Sequence, residues 1–181
     1  MGRVPTYLGF LRAINLGAKR VFPKDDICRV ASALGFEDVT THLNTGNLRF
    51  STRMRSRARI EEALERAFHA DRGFDVPTIV FTTDEFARIA DEARALSEAR
   101  PNLARHYVYL LKQELTPEQA ALVEATSGDK GEMVVSGRAA HALLGPGYND
   151  GTVDPLSAAK LLGIATNRNL NVVGALADRW C

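Results

Sequence analysis

Cysteine is almost missing from this chain: Cys28 and Cys181 are the only two. A zinc site needs thiolate or imidazole ligands clustered at short spacings, and neither the cysteines nor His42, His69, His106 and His141 provide them. The amino-terminal stretch MGRVPTYLGFL has no long apolar run and no small-residue cleavage site. A secretion signal is therefore not expected, nor a disulfide, which belongs to oxidising compartments. No uninterrupted apolar stretch approaches the roughly 20 residues of a membrane-spanning helix, so a cytoplasmic location without a membrane partner is expected. Strong charge of either sign is also missing. The net charge of +1 provides no overall field toward nucleic acid or a lipid surface. There is no Walker loop, no G-x-S-x-G elbow and no Cys–His signature.

What remains is an ordinary globular composition, 45% hydrophobic and 25% charged across 181 residues, enough for one large domain or two small ones. Tyr7–Ile14 reads as a strand rich in bulky apolar residues. Pro23 followed by Asp25 and Asp26 opens a helix that Gly35 ends. Val39, Thr41 and Leu43 alternate, as do Leu48 and Phe50, and Asn44-Thr45-Gly46-Asn47 joins them as a hairpin turn in which Gly46 supplies positive φ. A helix with Ile60, Leu64 and Phe68 on one face precedes the strand 76–81, and Asp84 caps a third helix. The order β-α-β-β-α-β is that of the ferredoxin-like split βαβ unit.

The polar, proline-bearing stretch SEARPNLAR then marks a boundary. A second, smaller α+β half is expected over 104–181, packed on a first half of 1–98. It begins with the strand 106–111. Thr116-Pro117-Glu118-Gln119 carries the marks of a capping box. Strands follow at 132–136 and 139–144, then a loop GPGYNDG (145–151), a helix from Asp154-Pro155 to Leu162, and a last helix from Leu170 to about Trp180. This half repeats β-α-β-β-α without an evident final strand, and no sequence repeat links the halves.

In a split βαβ unit the loop after the first strand, the β-hairpin tip and the turn before the fourth strand lie at one rim. Arg12, Asn15, Gly17, Lys19, Arg20, Thr45, Gly46 and Asn47 therefore converge. Their cationic side chains, open backbone and the positive end of the first helix suit a phosphate or carboxylate. The competing reading is that these are ordinary turn residues, with Asn15 and Asn47 satisfying loop carbonyls. A second candidate is Asn167, Arg168 and Asn169, with Thr166, at the start of the last helix. Its competing reading is a helix cap with Arg168 paired to an acid. The run Arg49, Arg53, Arg55, Arg57, Arg59 could follow a phosphate backbone, but Glu61, Glu62 and Glu65 succeed it, and a solvated face is the better reading.

The segment LGFLRAINLGAKRVFPKDDICRVASALGFEDVTTHLNTGNLRFST resembles the amino-terminal signature of the domain of unknown function 1697 family, whose members are mostly bacterial. There an Arg-x-x-Asn-x-Gly segment (here Arg12, Asn15, Gly17) precedes the first helix, and a Ser-Gly-Asn turn (here Thr45-Gly46-Asn47) joins strands two and three. TNRNLNVV resembles the family's Thr-Thr-Arg-Asn-Trp-Asn-Thr-Val signature. Three departures stand out: Thr45 for Ser, Leu170 for Trp, and Gly151–Asp154 in place of a Ser-Lys-Leu-Thr segment. The resemblance implies the two-part fold and carries no activity. The residues themselves lead to the expectation of a small anionic or phosphate-bearing ligand at the rim. The alternatives are a transferase or hydrolase acting on such a ligand, for which Thr45 is the sole nominee, and a nucleic-acid-binding protein. Arg168 or Asn169 is expected to approach the Asn15–Arg20 loop or the Asn44–Asn47 turn. The sequence indicates neither a cofactor nor an oligomeric state.

Overall fold

The structure is a computed structural model that describes residues 2–148 and 154–181. The elements are β1 (Thr6–Leu11), α1 (Lys24–Ala33), β2 (Glu37–His42), β3 (Asn47–Ser51), α2 (Arg57–Arg72), β4 (Thr78–Thr82), α3 (Thr83–Glu98), β5 (Arg105–Leu111), α4 (Pro117–Glu124), β6 (Gly131–Ser136), β7 (Ala139–Leu144), a 3-10 turn (Ala159–Leu161), β8 (Ala165–Asn169) and α5 (Leu170–Trp180). Two compact units result. One runs through Phe86 and takes in Trp180 and Cys181; the other is Ala87–Arg179.

The first unit holds a four-stranded sheet in the order β2-β3-β1-β4, with all neighbours antiparallel. This is the ferredoxin-like order expected from β-α-β-β-α-β. Its strands alternate as the period of two requires. Tyr7, Leu11, Leu48, Phe50 and Val80 enter a core with Ile27 and Val30 of α1 and Ile60, Leu64 and Phe68 of α2. The residues between them, Leu8, Phe10, Ile79 and Phe81, are equally buried on the other face, where the Phe86 ring lies parallel to Phe10 at 5.2 Å. The edge strand β4 is protected by α2. Glu65 accepts the Thr78 amide at 2.9 Å, and the buried Glu61 accepts the Val80 amide at 3.1 Å.

The second unit has the same topology, order β6-β7-β5-β8, again antiparallel throughout. Here the structure corrects the sequence reading twice. The half does have a final strand: Thr166–Asn169, expected at a helix start, forms β8 and pairs with Tyr107–Leu110 of β5. The helix expected from Asp154 to Leu162 is only a 3-10 turn at Ala159–Leu161. The Asp154 carboxylate takes the amides of Ala158 and Ala159 (2.9 and 3.1 Å) and so competes with the helical ladder. The capping box at Thr116 and Gln119 forms as expected, at 3.2 and 2.9 Å. The loop 145–151 and the segment 151–154 lie partly outside the described residues.

Candidate functional site

The rim of the first unit assembles as topology requires. The Leu11 amide donates to the Gly46 carbonyl at 2.9 Å and the Arg12 amide to the Pro77 carbonyl at 2.9 Å, tying the β1–α1 loop to the β2–β3 hairpin and to the turn before β4. Asn15 is the latch. Its Nδ2 donates to the Phe22 carbonyl at 3.0 Å and the Asn44 carbonyl at 2.8 Å, while its Oδ1 accepts the Phe22 amide at 2.8 Å. Three non-glycine residues of the two loops hold the left-handed conformation: Ala13 (φ 58°), Asn15 (φ 54°) and Leu43 (φ 62°). Each such residue costs about 1 kcal/mol, and clusters of them persist where surrounding bonds over-determine the backbone.

Several predicted residues turn out to maintain the rim's geometry. Arg20 donates from Nε to the Ala13 carbonyl at 2.6 Å and from Nη2 to the Asp75 carbonyl, with its guanidinium 4.6 Å above the Phe74 ring. Asn47 is fully buried and donates to the His42 carbonyl at 2.9 Å and the Thr45 hydroxyl at 3.0 Å. A Cβ on Gly46 would sit 2.8 Å from the Leu11 Cβ, so both space and φ require glycine there. The side chains of Arg12 and Lys19, by contrast, are exposed and bonded to no other described residue, and Gly17 borders open space. Leu16 between them is 80% exposed. The first helix contributes less than expected, because Asp25 and Asp26 in its first turn already answer its positive end.

The second motif lies within the other unit. Arg168 is buried on β8 opposite Val108 and donates from Nη1 to the Thr166 hydroxyl at 2.9 Å and the Asn167 carbonyl at 2.8 Å. Burial lowers its pKa to about 10, leaving it charged at neutral pH. Asn169 caps α5 by accepting the Val172 amide at 2.9 Å. In the arginine run, Arg57 pairs with Glu61 at 2.9 Å and Arg53, Arg55 and Arg59 are exposed.

The sequence did not reveal a buried imidazole pair. His106 Nε2 and His141 Nδ1 lie 3.0 Å apart inside the second unit, and the outer nitrogens, His106 Nδ1 and His141 Nε2, have no hydrogen-bond partner among the described residues. Burial lowers both pKa values to about 4, helped by Arg100 at His106 and by His106 at His141. Both positions sit within apolar alternation, which was the one available signal. Among the described residues no group of three or more His, Cys, Asp or Glu could hold a metal, and no helix is long and apolar enough to cross a membrane.

The fold and rim define a tandem ferredoxin-like protein with a latched loop at one sheet end. A family model described as "Protein of unknown function (DUF1697)" matches residues 4–141, and the chain belongs to that family. It is similar to a solved structure, "conserved bacterial protein SP0830 from Streptococcus pneumoniae", at 20% identity and a TM-score of 0.72, covering 97% of this chain and 99% of that one. That likeness establishes the fold. No curated protein matches.

Proposed function

We propose that this chain is a binding protein whose first-unit rim holds a small anionic or phosphate-bearing ligand. The observation that carries this reading is the Asn15 latch: three side-chain hydrogen bonds hold one loop conformation against the cost of its left-handed residues. That conformation presents two cations, Arg12 and Lys19, with no internal partner among the described residues. A pre-organised loop loses little entropy when it binds. The charge of the ligand is met by these side chains and by the open backbone at Gly17, and Leu16 offers an apolar flank to whatever the anion is attached to.

A thermal-shift series with inorganic phosphate, nucleotides and sugar phosphates tests this. At ten times its Kd, a ligand stabilises the folded state by about 1.4 kcal/mol, a rise of about 3 °C for a domain of this size. The rise is expected in the native chain and absent from the Arg12→Ala/Lys19→Ala variant. If no anion at millimolar concentration raises the melting temperature, or if the double variant responds equally, the rim is not an anion site.

A further inference from the structure

The two units share more than strand order. In the second unit the Leu111 amide donates to the Arg138 carbonyl of the β6–β7 turn and the Lys112 amide to the Ile164 carbonyl, both at 2.9 Å. These are the counterparts of Leu11 to Gly46 and Arg12 to Pro77. Register agrees: Leu11 pairs with Thr78 on β4, and Leu111 with Ala165 on β8. Counting outward from these anchors aligns Gln113 with Ala13, Leu162 with Asp75 and Leu161 with Phe74 in chain order, while the left-handed residues differ, Ala13 in the first unit (φ 58°) and Gly163 in the second (φ 67°). In the first unit Ala13, Asp75 and Phe74 form the berth of Arg20: two carbonyls that accept from the guanidinium and one apolar plate beneath it.

Only the first unit fills its berth from within. The twelve residues of the β1–α1 connection, 12–23, are long enough to fold Arg20 back. The β5–α4 connection has five, 112–116, which lead directly into the Thr116 capping box. At the matching place the second unit has a cavity of about 280 Å³, lined by Gln113, Glu114, Leu115, Leu161, Leu162 and Ile164, among others. Neither the Gln113 nor the Leu162 carbonyl accepts a hydrogen bond from another described residue. Leu162 is buried, so its carbonyl is an acceptor in want of a donor, whereas Gln113 is exposed and water can meet its carbonyl.

We propose that this cavity is a second binding site, independent of the anion rim, which takes an alkylguanidinium group from outside the chain as the first unit takes Arg20 from within. The planar head donates to the two carbonyls. The aliphatic stem lies against Leu115, Leu161 and Ile164, the last of these 43% exposed at the mouth. Glu114 at the lining supplies a countercharge, and Lys112 at the same lining opposes it. The volume, equal to roughly nine waters at ~30 Å³ each, has room for one such group.

The test uses the full chain labelled with ¹⁵N and titrated with butylguanidinium, with uncharged butylurea and anionic butylphosphonate as controls. Butylguanidinium is expected to move the amide resonances of residues 111–115 and 161–164 with millimolar affinity, as suits a ligand this small. Butylurea should bind at least threefold more weakly. Glu114→Gln should weaken the guanidinium at least threefold and Lys112→Gln should tighten it, and both exposed-side substitutions report their own folding in the same spectra. Three results would each overturn the proposal: no response of these amides up to about 50 mM, the weakest affinity expected of so few atoms; equal binding of butylurea; or preferential binding of butylphosphonate lost in Lys112→Gln. Because Arg12 and Lys19 take no part, failure here leaves the anion rim untouched, and the Arg12→Ala/Lys19→Ala variant should bind butylguanidinium as the native chain does.

Discussion

His106 and His141 are the residues whose chemistry their surroundings change most. With one proton between Nε2 and Nδ1, both rings are neutral, and the burial that excludes water from their outer nitrogens also penalises a charge on either ring. Folded pKa values near 4 lie below the ordinary histidine value of 6.5. The unfolded chain therefore binds more protons between those limits, so stability is fully present above pH 6.5 and is lost as pH falls toward 4. The first proton alone costs about 3 kcal/mol over that window. Urea denaturation of the native chain from pH 7 to pH 4 should show this loss, and His106→Leu/His141→Leu should flatten it. An unchanged slope in the double variant would mean other groups govern acid unfolding. Asn15 and Asn47 teach a related lesson. Each was chosen from sequence as a ligand contact, and each spends its amide on carbonyls of its own loops.

The turns and edges of these sheets rest on different kinds of restraint, and two glycines separate them. Gly73 (φ 77°) ends α2 with nothing within 4 Å of a Cβ, whereas Gly46 (φ 80°) faces the Leu11 Cβ at 2.8 Å and the Leu11 carbonyl at 3.2 Å. Gly73→Ala should cost about 1 kcal/mol, the left-handed penalty alone. Gly46→Ala adds an overpacking cost, for a total of about 3 kcal/mol, and forces the hairpin away from β1. Urea midpoints at constant slope measure both. Equal losses would show that the hairpin yields freely and that the rim is not rigid. The 3-10 turn at Ala159–Leu161 shows the same competition in a helix: Asp154-Pro155 favoured a full helix, but the Asp154 carboxylate took the amides of Ala158 and Ala159.

Each sheet holds two inner strands with hydrogen-bonded neighbours on both sides, β3 and β1 in the first unit and β7 and β5 in the second. Amide exchange should therefore be slowest in β1, β3, β5 and β7 and fastest in the outer strands β2 and β6, each paired on one side only, since protection follows the largest opening each amide requires. Within β4, the Thr78 and Val80 amides should exchange more slowly than an unprotected edge, because Glu65 and Glu61 accept them. Edge amides as slow as those of β1 would contradict the sheet order. The matched bonds at Leu11 and Leu111, and at Arg12 and Lys112, make the units topological equivalents, although no run of residues repeats between them.

Local physics made much of this legible. Thr116 with Gln119 had to cap a helix, Gly46 had to occupy the hairpin turn, and the alternation of apolar residues had to make strands, because each depends on neighbours within a few positions. Chain order then placed Arg12–Arg20 and Asn44–Asn47 at one rim. The remaining features depended on segments distant in sequence. Thr166–Asn169 is polar and carries no strand signal of its own; it is a strand because β5 offers a row of unpaired backbone groups that must be answered. Arg12 and Lys19 stay outward while Asn15 and Arg20 turn inward because the carbonyls of Asn44 and Asp75 come within reach only once the sheet has formed. The His106–His141 pair required the diagonal register of β5 on β7, and the cavity beside Leu162 required a connection too short to fill it. Hydrogen-bond demand is met by whichever group is nearest in space, and for these residues that group is remote along the chain.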